Sequence, residues 1–157
     1  MKPLSLLGAA LGLVLMGLGL LTAAPGTKDE KDKDDLKKFD GAWVFTSWDH
    51  AGEALPAEAR ETAKWTIKGG KYTFEFGGMT EEGTIKLDPA KKPATIDLAI
   101  TDGQDKGKSQ VGIYKIDGDT ITVCLARPGA NDRPTEFKST EENGFILVTV
   151  KRAKKDD

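Results

Sequence analysis

The chain has 157 residues, 38% of them hydrophobic and 31% charged, and its 23 Lys and Arg nearly balance 25 Asp and Glu for a net charge of -2. That length holds one domain, and without a basic excess nothing is available to grip a phosphate backbone, which argues against a nucleic-acid partner. A single cysteine, Cys124, excludes an intramolecular disulfide, so stability has to come from a packed core in which this thiol is a small filling residue.

The N-terminal stretch MKPLSLLGAALGLVLMGLGLLTAAPG carries one charge at Lys2, an uncharged apolar run from Leu4 to Ala24, and small residues before Pro25. This pattern reads as a signal peptide over residues 1–24 and predicts export to a periplasmic or extracellular space. Because the run is longer than a usual signal core, the alternative is an uncleaved anchor through residues 4–24, the chain's one route to a membrane. Residues 25–38, which include KDEKDKDDLKK, alternate charge signs without an apolar period and are expected to form a charged, disordered linker.

From residue 39 to 152 the apolar spacing is mostly two, the signature of strands. In FDGAWVFTSW (39–48), Trp43 and Phe45 share one face while Val44 and Trp48 share the other, unless a bulge intervenes. The segment ALPAEARETAK (54–64), with Pro56 able to open a helix, is the expected cover for the outer face and the expected single helix. WTIK, Gly69-Gly70, KYTFEF and Gly77-Gly78 then read as strands joined by tight hairpins. TEEGTIKL, TIDLAI, QVGIYKI, TITVCLA, TEFKS and FILVTVKR continue the pattern to about nine strands, followed by a charged tail at 153–157. So many short strands with hairpin turns predict an all-β antiparallel meander, curled into a barrel or folded into a sandwich.

Chemistry is sparsely signalled. One histidine, His50, and one cysteine, Cys124, stand 74 positions apart with no metal-ligand spacing, so no metal site is expected, and no serine elbow completes a triad with His50. Glu58, Glu61, Glu75, Glu81, Glu82 and Glu136 could supply a carboxylate pair, but such residues on antiparallel strands are expected to face water. The glycines lie in hairpins, so no nucleotide cofactor, and no cofactor of any other kind, is predicted; the expectation is a protein that is not an enzyme. A pocket would draw on inward Phe45, Tyr72, Phe74, Leu98 and Tyr114. At its mouth, the two Arg-Pro pairs of ARPGANDRPTEF (126–137) would aim Arg127 and Arg133 at an anionic group, or else simply brace a surface turn.

The segments LKKFDGAW (36–43), DPAKKPATIDL (88–98), GIYKIDGDTITVCLA (112–126) and RPTEF (133–137) resemble the planctomycete family of exported lipocalin-like, calycin-type domains, for which no ligand or activity is established. The resemblance covers residues 36–152 and implies an antiparallel up-and-down β-barrel, closed or half-open, of about 8–9 strands. It further implies that Gly41 and Trp43 form a GxW element closing one end of the barrel, with Arg152 stacked on the indole. Two functions follow: binding of a small apolar or amphipathic ligand, or a side-chain-filled barrel that meets another envelope protein.

Overall fold

Runs of period two separated by two-residue turns pair readily with their chain neighbours, and from the third strand to the ninth each does so. The computed structural model describes residues 28–154: α1 (Lys28–Phe39), β1 (Gly41–His50), β2 (Glu53–Ala54), α2 (Ala57–Arg60), β3 (Lys64–Lys68), β4 (Lys71–Phe76), β5 (Met79–Asp88), β6 (Ala94–Asp102), β7 (Ser109–Asp117), β8 (Thr120–Leu125) and β9 (Ile146–Arg152). Every pairing is antiparallel, in the order β1-β3-β4-β5-β6-β7-β8-β9, and β9 returns to β1. The result is a closed, lipocalin-like up-and-down barrel, with the two-residue β2 as an outrigger on the end of β1. Among the described residues no helix is long and apolar enough to cross a membrane. The apolar run 1–24 lies outside them.

The turns follow from the glycine pairs. Phe76 pairs with Met79 and Lys68 with Lys71, leaving Gly77-Gly78 and Gly69-Gly70 as two-residue loops whose glycines all have positive φ, the backbone that keeps the strands' right-handed twist.

Several expectations are corrected. Residues 28–38, read as a disordered linker, belong to the helix α1. Lys and Glu favour helix, and the alternating charges form its wet face, while Leu36 and Phe39, three apart, sit on the face that meets the barrel. The expected helix over 54–64 shrinks to the single turn of α2 after Pro56, because Leu55 already donates its N–H to the Trp48 carbonyl and Lys64 begins β3. It does not cover β1: outward-facing Val44 remains 44% exposed. TEFKS forms no strand, and the ninth strand is β2 instead. Finally, the ladder between β1 and β9 slips between Phe45 and Ser47, a β-bulge that brings Trp48 round to the same face as Phe45, their rings 5.2 Å apart.

One end of the barrel is sealed by α1. Phe39 is fully buried, edge-on to Tyr114 at 5.3 Å and to Trp65 at 6.3 Å, and Leu36 packs against the same cluster. The Trp43 indole N–H donates to the Phe39 carbonyl at 2.7 Å, and the Tyr114 hydroxyl donates to Asp35 at 2.6 Å. Arg152, the last residue of β9, lies over the Trp43 ring at 4.5 Å while its guanidinium donates to the carbonyls of Lys38 and Asp40 and to Asp119. One side chain thereby takes up carbonyls left open at the end of α1, stacks on the buried tryptophan and fixes the β9 edge.

Gly41 makes room for this arrangement. Its φ is +134°, and a Cβ there would stand 2.5 Å from Arg152 Nη1. Gly41→Ala is therefore expected to cost about 1–3 kcal/mol through strained backbone and displaced guanidinium. Arg152→Ala should cost about 2–4 kcal/mol through lost charge-assisted hydrogen bonds and stacking. Urea denaturation of the double variant should fall short of the summed single losses by roughly 1 kcal/mol or more, since without the arginine the new methyl meets nothing; strict additivity would refute the coupling.

Candidate functional site

The barrel interior divides into two halves. Towards α1 it is filled by Phe39, Trp43, Ile67, Leu87, Ile96, Ile121 and Val150, each at most 2% exposed. Towards the ends of β1, β4, β6 and β8 it holds a cavity of about 440 Å³. Phe45, Trp48, Phe74, Leu98, Val123, Leu125, Ile146 and Val148 line its walls, with Trp65 and Tyr72 at the floor side and His50, Met79, Glu81, Asp105, Gln110 and Pro128 completing the lining. Broader hollows of about 720 and 660 Å³ on the outer surface have linings made mainly of outward-facing strand residues and turns.

The wall is aromatic because the bulge places Trp48 beside Phe45 and opposite β4. Trp48 lies 5.7 Å from Phe74 and 5.2 Å from Phe76, and Phe45 lies 5.7 Å from Phe74, all as ring-centroid distances. β1 beyond Phe45 no longer pairs with β3, so these four rings span the gap between β1 and β4. Such an opening is where a short barrel admits a ligand.

Polar groups are few. The Tyr72 hydroxyl donates to Glu81 Oε1 at 2.9 Å, and burial followed by the Glu81 charge pushes the phenol well above its ordinary value. Burial in turn raises the Glu81 carboxyl, against the opposing effect of the tyrosine hydrogen bond and with a further push from the nearby Asp105 charge. Asp105 is paired with Lys108 at 2.9 Å. Gln110, only 6% exposed, donates its side-chain N–H to the Ala126 carbonyl at 3.1 Å.

Of the residues expected to form a pocket, Phe45, Tyr72, Phe74 and Leu98 line this cavity. Tyr114 does not: it faces the sealed half, where burial and its bond to Asp35 raise its phenol. Arg127 and Arg133 are not in the lining either. Arg133 donates to the carbonyls of Ile96 and Gly112 at 3.1 and 2.8 Å and pairs with Asp97 at 2.6 Å, which leaves its guanidinium consumed by the barrel wall. Arg127 is exposed and packs beside Gly144. Their loop, the connection from β8 to β9, is instead a strap over the outside of β7 and β8. Under it Cys124 is buried with its Sγ 3.7 Å from the Lys138 carbonyl, Pro134 is buried, and Lys115 sits 4.8 Å from the Phe137 ring centroid. Glu81, expected to face water, lines the cavity instead, and Gln110 is not among the expected pocket residues, although parity held the signal: Glu81 shares its face with Ile85 and Leu87, and Gln110 with Tyr114.

Comparison with known proteins returns no matching family model, no similar curated protein and no similar solved structure. The class is therefore defined by the architecture itself, a lipocalin-like barrel sealed at one end and hollow at the other.

Two outcomes are expected. Burial pushes the Cys124 thiol above its ordinary value, with the Lys138 carbonyl acting in the opposite direction, so native Cys124 should react slowly with a thiol reagent. Arg133→Ala should speed that reaction at least about tenfold by loosening the strap while leaving the barrel folded; an unchanged rate would mean the strap is held elsewhere. The chain's two tyrosines, Tyr72 and Tyr114, both have folded values raised above the ordinary 10.0. The folded state then holds those protons more tightly than the unfolded one, so stability is intact below about pH 10 and is lost as pH rises beyond it. Tyrosinate absorbance should appear together with loss of structure, and Tyr114→Phe should make stability fall less steeply above pH 10.

Proposed function

We propose that the protein is an exported, non-catalytic carrier or sensor that holds one small apolar or amphipathic molecule in the open half of its barrel. The supporting observation is the cavity of about 440 Å³ walled by Phe45, Trp48, Phe74 and Leu98. Its size falls in the range of small-molecule sites, roughly 300–1,000 Å³. Among the described residues the sealed half, filled by Phe39, Trp43, Ile67, Ile96, Ile121 and Val150, holds no such cavity, so the space for a guest lies in the aromatic half. Export rests on the sequence of residues 1–24, and membership of the planctomycete lipocalin-like family rests on the segments between residues 36 and 137 that resemble it.

A fluorescence titration tests this directly. An apolar environment-sensitive dye should bind saturably and quench tryptophan emission, with the double variant Trp48→Phe/Trp65→Phe removing most of the quenching because these two line the cavity and Trp43 lies at the sealed end. Quenching that survives the double variant unchanged would place the dye elsewhere. A protein that melts cooperatively yet takes up no dye would favour the other reading, a barrel whose partner is an envelope protein.

A further inference from the structure

Resting on the ligand-binding reading above, we infer that the guest is an apolar amine, its ammonium held at the mouth by Glu81 and Gln110 and its body in the aromatic half of the barrel. Three observations converge. The lining includes two carboxylates, Glu81 and Asp105, and no lysine or arginine. Asp105 already has its counter-ion, Lys108, whose ammonium is 54% exposed and outside the lining. Glu81 has none: its hydrogen-bond partner among the described residues is the neutral Tyr72 hydroxyl.

Gln110 supplies the independent element. Its amide N–H is taken by the Ala126 carbonyl, and among the described residues its amide oxygen accepts no hydrogen bond, although the residue is only 6% exposed and lines the cavity. That oxygen is not sealed off but open to the cavity, where a guest's donor can reach it. An ammonium brings three donors and no acceptor, enough for Glu81, Gln110 and one more contact. The nearby faces of Trp48 and Phe74 add attraction for a cation, whereas a fatty-acid carboxylate would meet two like charges with no cation in the lining to offset them. Burial of Glu81 works in the same direction, because a half-buried carboxylate with a neutral partner gains most from an arriving positive charge.

The test compares decylamine, decanol and decanoate, equal chains with cationic, neutral and anionic heads, by calorimetric titration of the purified protein at neutral pH. Decylamine is expected to bind about tenfold or more tighter than decanol, and decanoate weakest. Glu81→Gln, which keeps a hydrogen-bond acceptor for Tyr72, should bring the amine-to-alcohol ratio near one. Asp105→Asn should reduce the ratio by less. Equal affinity for amine and alcohol in the wild type, or a ratio that survives Glu81→Gln, would overturn the amine assignment while leaving the cavity a binding site. Failure of all three chains to bind a cooperatively folded protein would overturn both.

Discussion

Everything in this barrel depends on closing it where β1 meets β9, and one guanidinium ties the end of that ladder to α1 and the β7–β8 turn. Arg152 covers Trp43, takes the carbonyls of Lys38 and Asp40, and reaches Asp119 in the β7–β8 turn. Those contacts come from a helix, a strand and a turn, so the charge is never left bare although it sits against a fully buried ring. With that end sealed, Leu36 and Phe39 of the helix pack onto Tyr114 and the core continues from there through the barrel.

The other half inherits freedom from the same asymmetry. Because α1 completes the hydrophobic core at one end, the aromatic side chains at the opposite end are not all needed to exclude water. The bulge after Phe45 decides their arrangement: it turns Trp48 inward, beside the stretch of β1 that runs on past the start of β3 at Lys64. The mouth is consequently built from strand ends and turns, while its walls are rigid strand, a combination that suits a preformed site.

The barrel was readable in the sequence because its information is local. Alternation in KYTFEF and TITVCLA and the glycine pairs at 69–70 and 77–78 specify strands and hairpins by themselves. What stayed hidden is held by groups that leave no pattern. α1 docks through two apolar residues, Asp35 and its own terminal carbonyls, so KDEKDKDDLKKF shows no apolar stripe. Arg133 grips backbone carbonyls of β6 and β7, and carbonyls are the same in every sequence, so its brace could not be told from an anion-binding arginine. Phe45, Tyr72, Phe74 and Leu98 were legible as pocket wall by parity alone; Tyr114 obeys the same parity but lies too near the sealed end.

The seam also governs how the chain must assemble. Arg152 and Asp40 are 112 positions apart, and the β1–β9 ladder that joins them can form only when the last seven-residue strand is available. Every hairpin from β3 to β8 is short-range and can form early; closure is the slow, long-range step. Until then the growing sheet has two unpaired edges, each a template for another chain. A polypeptide cut short before β9 would keep its hairpins and lose its solubility, so the final strand acts as the quality check on a complete molecule.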